Sequence, residues 1–243
     1  MLRIPILHAD RADAFPPVER AMKDPDGLLC AGGDLSVARL LLAYRQGIFP
    51  WFNPGEPILW WSPDPRCVFD LRQFMPSRSL RRFARACAWR ISADAAFDTV
   101  IDGCAAPRQA DTGTWIGARM RRAYTDLHRA GHAHSIEAWA GDELVGGLYG
   151  VAIGDVFFGE SMFSRQSNAS KIVLHALARQ LRDWGYALID GQVRNPHLLG
   201  LGAKEIDRRD FVALLEQHCG RARPAGSWTA PWQVRDAAAL AQR

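Results

Sequence analysis

The sequence lacks the features of secreted, membrane-spanning and zinc-binding proteins. Its cysteines, at positions 30, 67, 87, 104 and 219, are odd in number and form no CxxC pair, which fits a reducing compartment better than a disulfide framework or a zinc site. No run of about 18 uncharged apolar residues occurs. Proline and charge interrupt the first residues too early for a secretory apolar region. We therefore expect a cytoplasmic protein without a membrane span.

Signature motifs of several common sites are also missing. No Gly-x-Ser-x-Gly segment occurs, which disfavours a serine hydrolase. The segment HLLGLGA at 197–203 lacks the Lys-Ser/Thr pair of a Walker A motif and does not open a helix, so we interpret it as a turn. His128, His132 and His134 are spaced for a metal, but Gly131 separates them and no nearby cysteine or acid completes a ligand shell. No metal site is predicted.

The composition indicates a folded chain with a sizeable core. Of its 243 residues, 48% are apolar, and this length suits one large domain or a large domain with a small partner. The net charge of +4 permits an anionic partner without requiring one. A monomer is expected.

The N-terminal part predicts one helix followed by an irregular connector. The helix lies in GGDLSVARLLLAYRQG, with Asp34 or Ser36 as its cap and Gly47 at its end. The connector, residues 48–66, carries five prolines and three tryptophans, so it is an ordered segment rather than a long regular element. We place a domain boundary at its end, which gives a small N-terminal domain over 1–66 and a larger domain over 67–243.

Residues 71–93 contain no acid, and within them four arginines recur at spacings of three and four. On a helix these positions form one cationic surface. We call it the arginine face, and it consists of Arg78, Arg81, Arg82 and Arg85. Two interpretations stay open, a solvated helix surface and a phosphate-binding surface.

The rest of the chain predicts strands and helices in a definite order. IGARMRRAYTDLHRAGH predicts a helix, and residues 134–163 predict strands joined by Gly-Asp turns at 141–142 and 154–155. SNASKIVLHALARQLRDWG predicts a helix with a Ser or Asn cap, and a strand and a helix over FVALLEQHCG follow. The order of antiparallel strands, helix, strand and helix indicates an α+β fold.

Two polar residues end the strand after that long helix. If the strand continues through Gln192, alternation places the side chains of Asp190 and Gln192 on the same face and leaves the other face bare at Gly191. The two groups then either satisfy the following loop or form the floor of an active site.

A further acid, Glu160, lies in the apolar segment FFGESMFS. An acid in an apolar strand is costly unless it is paired or used. Glu160 is therefore either a paired structural acid or the polar group that orients a ligand in a mostly apolar pocket.

The segments GGDLS, LLAYRQGIFPWF, PILWWSPDPR, GTWI, GHAHSIE, LVGGLYGV, GESMFS, NASK and LIDGQVRNPHLLGLGA together resemble the bacterial leucyl/phenylalanyl-tRNA-protein transferases. The resemblance spans almost the whole chain. It implies a small N-terminal domain and a GNAT-like acyltransferase domain with a mixed, mostly antiparallel sheet flanked by helices. It also implies transfer of Leu or Phe, and less readily Met, from aminoacyl-tRNA to the α-amine of proteins that begin with Arg or Lys, which marks them for N-degron proteolysis. No cofactor is implied.

The resemblance also assigns roles to individual residues. Trp51 and Trp115 become platforms for the terminal adenosine of tRNA, where stacking contributes about 1–3 kcal/mol per base. The arginine face becomes a contact to the acceptor stem that reads phosphates rather than sequence, and Tyr124 joins the substrate site. The side chain of Leu or Phe is expected in an apolar cavity with Glu160 at its polar edge. The predicted lining is Leu148, Phe157, Met162, Leu174, Leu177 and Ile189, and two of these, at positions 148 and 177, are bulkier Met and Phe in other members, which leaves the balance between Leu and Phe open.

The implied mechanism is mainly one of positioning. The substrate is an activated ester, and an attacking α-amine with a pKa near about 7.7–8.0 is partly neutral without a strong base. Gln192 is expected to hold the amine, and Asp190 either takes part in proton transfer or only orients Gln192. A route that uses the ribose hydroxyl as a proton relay needs less from Asp190. No covalent intermediate on the protein is required.

Two rival functions are kept. An N-acetyltransferase that uses acetyl-CoA on the same fold needs a glycine-containing pyrophosphate loop, whereas the corresponding segment SRQSNASK has no glycine. A noncatalytic RNA-binding module would suit the arginines and tryptophans equally well. It gives no reason for an acid and an amide beside an apolar cavity.

Overall fold

The computed structural model describes residues 4–9, 15–106 and 114–241. The N-terminal part forms a four-stranded sheet with the order β1-β2-β4-β3. Its strands are β1 (Ile6–Leu7), β2 (Leu28–Gly32), β3 (Phe49–Pro50) and β4 (Leu59–Trp61). The predicted helix is α1 (Val37–Arg45), and the side chain of Ser36 caps it by accepting from the backbone N–H of Arg39. The proline-rich connector contributes the two short strands β3 and β4, and its last residue, Arg66, begins the next strand.

The larger sheet has seven strands in the order β11-β5-β10-β9-β8-β7-β6. They are β5 (Arg66–Asp70), β6 (Arg90–Ala93), β7 (Ala133–Ala140), β8 (Glu143–Ile153), β9 (Val156–Ser164), β10 (Leu188–Gln192) and β11 (Lys204–Ile206). Neighbouring strands are antiparallel except β9 and β10, which are parallel. This mixed, mostly antiparallel sheet confirms the predicted α+β class.

Within the described ranges, six α-helices accompany this sheet. They are α2 (Arg78–Ala86), α3 (Phe97–Ala105), α4 (Ala118–Arg129), α5 (Ala169–Asp183), α6 (Pro196–Leu201) and α7 (Arg208–His218). The predicted order of antiparallel strands, helix, strand and helix is confirmed in β7 to β9, α5, β10 and α7. In the described ranges no helix is long and apolar enough to cross a membrane.

Two buried clusters cover the opposite faces of the large sheet. Consecutive residues of β9 and β10 alternate between them, with Phe158 and Leu188 in one cluster and Phe157 and Ile189 in the other. The first cluster also contains residues of the N-terminal sheet and α1, among them Trp60. Because one core includes residues from both sides of position 66, the domain boundary stays a prediction.

Two local predictions are wrong. Most of the segment predicted as a turn lies in the short helix α6, which the side chain of Asn195 caps and which Gly202, with a φ of +107°, follows. Strict alternation at the end of β10 is also not kept. Asp190 and Gln192 pair with consecutive β5 residues, Val68 and Cys67, so Gly191 is the extra residue of a bulge. The predicted Asn cap of α5 is confirmed at Asn168, although its φ of +72° is left-handed and its side chain makes no capping bond.

Candidate active site

A cavity of about 890 Å³ opens where β9 and β10 separate. The two strands pair only over Val156–Phe158 and Leu188–Asp190. Beyond these residues, the cavity is lined by positions 159–164 of β9, by positions 191–192 at the end of β10 and by positions 193–195 after it. The gap between two diverging strands therefore provides the space, and its volume is in the range usual for small-molecule sites.

One wall of the cavity is apolar. All six residues predicted to form it lie in the lining. They are Leu148, Phe157, Met162, Leu174, Leu177 and Ile189. Phe157 and Leu177 are fully buried, so the floor of the cavity is continuous with the core on that face of the sheet. We call this group the apolar pocket.

A second, polar wall is centred on Glu160, which is half-buried and lines the cavity. Its Oε1 accepts from the Tyr44 hydroxyl at 2.7 Å and from Nε2 of Gln192 at 2.7 Å, and its Oε2 accepts from the Tyr124 hydroxyl at 2.6 Å. The two tyrosine hydroxyls are 2.7 Å apart. Three of these contacts, from each tyrosine to Glu160 and between the two tyrosines, have only two hydroxyl protons available. All three can be hydrogen bonds only when Glu160 itself carries a proton.

Burial dominates the protonation of this group. It raises the pKa of Glu160 to about 7, and the nearby Asp190 charge acts in the same direction, whereas the hydrogen bonds from Tyr124, Tyr44 and Gln192 oppose it. Burial, followed by the charge of Glu160, also raises the pKa of both tyrosines well above their usual value. The tyrosines therefore act as neutral donors, while Glu160 changes charge near neutral pH.

The second carboxylate, Asp190, is fully buried and pairs with Arg66. Nε of Arg66 donates to Oδ1 at 2.9 Å and Nη2 donates to Oδ2 at 2.7 Å. The remaining Nη1 donates to the backbone carbonyl of Gly47 at 3.0 Å. Both oxygens of Asp190 thus face an arginine that is itself fully buried.

Gln192 joins the two carboxylates. Its backbone N–H donates to Oδ1 of Asp190 at 2.8 Å, and its side chain reaches Glu160. Its φ of +62° is left-handed, a conformation that non-glycine residues adopt only where neighbouring contacts hold it. The bulge that produces this conformation is tightly packed at Gly191, where an added Cβ would lie 3.2 Å from Leu198. The face predicted to be bare is therefore crowded.

Of the remaining predicted site residues, the two tryptophans and Tyr124 lie at or beside the cavity, and the arginine face does not. Trp51 and Trp115 both line it, and Trp51 is 42% exposed with its ring 5.5 Å from that of Trp61. Tyr124 is fully buried behind Glu160 and is not among the lining residues. The arginine face lies away from the cavity on α2, whose buried residues are Leu80 and Ala84. Its arginines are exposed or half-buried, and none forms an ion pair within the described ranges.

Two site residues, Arg66 and Tyr44, were not predicted. In the sequence Arg66 is the last residue of the connector, and Tyr44 lies within the predicted helix. Their partners lie 124 and 116 residues away, at Asp190 and Glu160. No local spacing reports such contacts, although an arginine at the start of an apolar strand is a signal that a buried acid is needed.

Two of the three histidines considered as metal ligands, His128 and His134, make ring-stacking contacts with aromatic residues of the core. Nδ1 of His134 lies 2.9 Å from Oδ2 of Asp94, and the His134 ring stacks on Trp228 at 3.8 Å. His128 stacks on Phe97 at 4.1 Å. No group of three or more metal-binding side chains occurs among the residues that the structure describes.

Comparison with known proteins places the chain among relatives of one kind. The family model of leucyl/phenylalanyl-tRNA protein transferase matches residues 68–216, and the model of its N-terminal domain matches residues 33–64. A leucyl/phenylalanyl-tRNA-protein transferase of Xanthomonas euvesicatoria is 53% identical over 238 residues, which cover 98% of this chain and 95% of the relative. The one of Nitrosomonas europaea is 59% identical over 203 residues, 84% and 86% of the two chains.

One solved structure with partial similarity is the C-terminal domain of a putative lysylphosphatidylglycerol synthetase from Agrobacterium fabrum. It is 12% identical, has a TM-score of 0.42 and covers 66% of each chain. A similarity of this size supports no conclusion about function.

Proposed function

The chain belongs to the leucyl/phenylalanyl-tRNA-protein transferase family, and from this premise we propose its substrates and the roles of its site residues. Family membership makes it an aminoacyltransferase that acts on aminoacyl-tRNA and protein. We propose that it transfers Leu or Phe, and less readily Met, to the α-amine of proteins that begin with Arg or Lys. The product enters N-degron proteolysis, and the enzyme acts as a monomer in the cytoplasm, which its five free cysteines fit.

The observation that carries this proposal is a cavity with one apolar and one polar wall that meet between β9 and β10. The apolar pocket takes the side chain of the transferred residue, with discrimination of about 1–3 kcal/mol per methylene. Trp51 and Trp115 at the cavity supply stacking surfaces for the terminal adenosine. The exposed arginine face contacts phosphates of the acceptor stem. The aminoacyl ester then spans the boundary between the two walls.

The polar wall suits an incoming amine. Nε2 of Gln192 donates to Glu160. The oxygen of the same side-chain amide, Oε1 of Gln192, can then accept an N–H from the attacking amine. The nitrogen then attacks the ester carbonyl, the C–N bond forms, and the bond to the ribose oxygen breaks. The amine loses one proton and the departing ribose oxygen gains one, so the reaction needs no net proton. Tyr124 contributes by holding Glu160.

Charge supports a cationic acceptor. Two carboxylates line the cavity, Glu160 and Asp190, and Arg66 neutralises only Asp190. The ionised form of Glu160 favours an Arg or Lys residue nearby and the positive charge that develops on the attacking nitrogen.

The test is transfer of radiolabelled Phe from Phe-tRNA to a peptide that begins with Arg, with a peptide that begins with Ala as control. Acetyl-CoA is supplied in a parallel reaction. We expect label only on the Arg peptide and only from Phe-tRNA, and label from acetyl-CoA alone would favour the acetyltransferase. Asp190→Asn and Gln192→Ala should each lower transfer sharply while Phe-tRNA binding persists, and full activity in both variants would contradict the assigned roles.

A further inference from the structure

We propose that Arg66 is a positioning residue for the transfer reaction. It fixes Asp190, and Asp190 in turn fixes the backbone of Gln192 in the conformation that presents its amide to the cavity. This inference rests on the proposed function and adds to it a residue outside the strands that carry the acid and the amide.

The first step is the geometry of the ion pair. Arg66 donates through both Nε and Nη2 to the two oxygens of Asp190, and both side chains are fully buried. Its guanidinium carbon lies 4.9 Å from the ring centre of Phe49 and 4.6 Å from that of Phe211, so an aromatic ring packs near it on two sides. Together with the bond from Nη1 to Gly47, these contacts leave the arginine one position. A carboxylate bound by such a planar fork cannot rotate.

The second step leads from the carboxylate to the amide. Oδ1 of Asp190 accepts from the backbone N–H of Gln192 at 2.8 Å, immediately after the bulge at Gly191. Gln192 has a left-handed backbone, which is strained for a residue with a side chain. The bond from Asp190 opposes relaxation of that strain. If the carboxylate turned, the amide of Gln192 would move with the backbone.

This arrangement decides between the two roles that the sequence left open for Asp190. Each of its oxygens is engaged by Arg66, and Oδ1 is engaged by Gln192 as well. The bonds to Asp190 therefore come from the fold rather than from the space where the amine arrives. In our proposal Asp190 orients Gln192, and it does not accept the proton of the amine.

The end of α1 and the turn that follows it anchor both carboxylates of the site. Tyr44, in the last turn of α1, donates to Glu160, and Gly47 accepts from the arginine that holds Asp190. The N-terminal segment thus holds Gln192 through two independent paths, one to its side chain and one to its backbone. This gives the helix and the turn a direct consequence for catalysis.

The discriminating variant is Arg66→Lys, which keeps a positive charge but cannot make the paired bonds. We expect kcat for Phe transfer to fall by about 10- to 100-fold, as a small misplacement of a reacting group does. KM for Phe-tRNA and for the Arg peptide should stay within about threefold, because neither the apolar pocket nor the stacking surfaces change. Arg72→Lys is the matched control, since Arg72 pairs with Asp70 at the end of the same strand with a side chain 86% exposed. It should keep wild-type kcat and KM.

Two results would overturn the inference. One is wild-type kcat in a folded Arg66→Lys protein, and the other is a loss that lies entirely in KM for Phe-tRNA. If Arg66→Lys does not fold, Asp190→Asn tests the same contact from its partner, because it removes one acceptor of the fork while keeping an oxygen for Gln192. A fall in kcat at constant KM supports the proposal, and wild-type kcat overturns it. An inactive wild-type protein would instead contradict the proposed function itself.

Discussion

Replacing Glu160 with Gln should make aminoacyl transfer less dependent on pH. Burial, with the charge of Asp190 in addition, raises the pKa of Glu160 to about 7. Lowering the pH through this value removes a negative charge beside the incoming amine and replaces the charge-assisted bond from Gln192 by a weaker neutral one. The wild-type enzyme therefore loses activity as Glu160 gains a proton, and this loss adds to protonation of the amine itself.

The expected magnitude follows from the two groups. A carboxyl with a pKa of about 7 is about 90% ionised at pH 8 and about 10% at pH 6, a factor of about 10. Protonation of an amine with a pKa near about 7.7–8.0 contributes a further factor of about 40 over the same interval. If ionised Glu160 supports transfer much faster than the protonated form, kcat/KM should fall about 400-fold from pH 8 to pH 6 in the wild type. The slower transfer by Glu160→Gln, which has no titrating group at this position, should fall only about 40-fold.

The assay is the initial rate of Phe transfer at low concentrations of both substrates, corrected at each pH for hydrolysis of Phe-tRNA without enzyme. Glu137→Gln is a suitable control. Glu137 is another buried acid whose pKa burial raises, but it accepts from Ser92 and Ser135 and does not line the cavity. It should show the wild-type pH profile. Identical profiles for wild type and Glu160→Gln would refute the reasoning.

Three further predictions concern stability, tRNA and selectivity. Arg66→Met leaves Asp190 buried without its partner and should lower the free energy of unfolding by about 3–5 kcal/mol. This corresponds to a fall in Tm of roughly 6–20 °C, at about 2–4 °C per kcal/mol. The control Arg72→Met should lower the free energy of unfolding by less than about 1 kcal/mol, and a calorimetric Tm within about 2 °C of wild type for Arg66→Met would contradict the contribution of the buried pair. Changing all four residues of the arginine face to Gln should reduce the slope of log Kd for tRNA against log salt by about 3, and an unchanged slope would remove this face from the interface. Leu177→Phe narrows the apolar pocket and should lower Phe transfer relative to Leu transfer by about tenfold or more, measured with both aminoacyl-tRNAs in competition; equal losses would mean that position 177 does not face the transferred side chain.

The sequence predicted those elements whose limits are set by local signals. Gly131, with a φ of +77°, and Gly185, with a φ of +79°, each lie two residues after the end of a helix, α4 and α5 respectively. At both positions the chain turns in a conformation that glycine adopts without cost. The Gly-Asp turns at 141–142 and 154–155 likewise predicted the connections between the antiparallel strands β7 to β9. Such turn signals need no knowledge of a distant partner.

The site could be predicted only where a residue type was locally out of place. Glu160 in an apolar strand was such a case, and its partners confirm that the carboxylate is held by hydrogen bonds from neutral groups. Those partners could not be predicted, because Tyr44 and Tyr124 lie on helices far away in the chain. The bulge at Gly191 was not predicted either. The expected alternation of side chains holds only for regularly paired strands, whereas a bulge depends on the pairing with the neighbouring strand β5.

The C-terminal segment from Arg221 onward also could not be predicted from local signals. Its sequence has little periodicity, yet Trp228 and Trp232 are buried in the cluster that includes the apolar pocket. Trp228 lies between rings of β7 and β9, stacked on His134 and 5.8 Å from Phe157. Its backbone N–H donates to Asp94 at 2.7 Å. An irregular segment can therefore support the floor of a binding pocket, because its tryptophans fill space that the sheet and α5 leave open.

The two faces of the large sheet explain why the reaction is expected at one point only. Phe157 and Ile189 belong to the core that continues into the apolar pocket. Their neighbours Phe158 and Leu188 belong to the core on the other face, which also contains Tyr44 and Tyr124. Where the strands are paired, the backbone separates these environments completely. The gap beyond Phe158 and Asp190 is the place where a single substrate can reach both. In the proposed mechanism the ester carbonyl must lie in this gap, since its side chain needs the apolar pocket and its attacking amine needs Gln192.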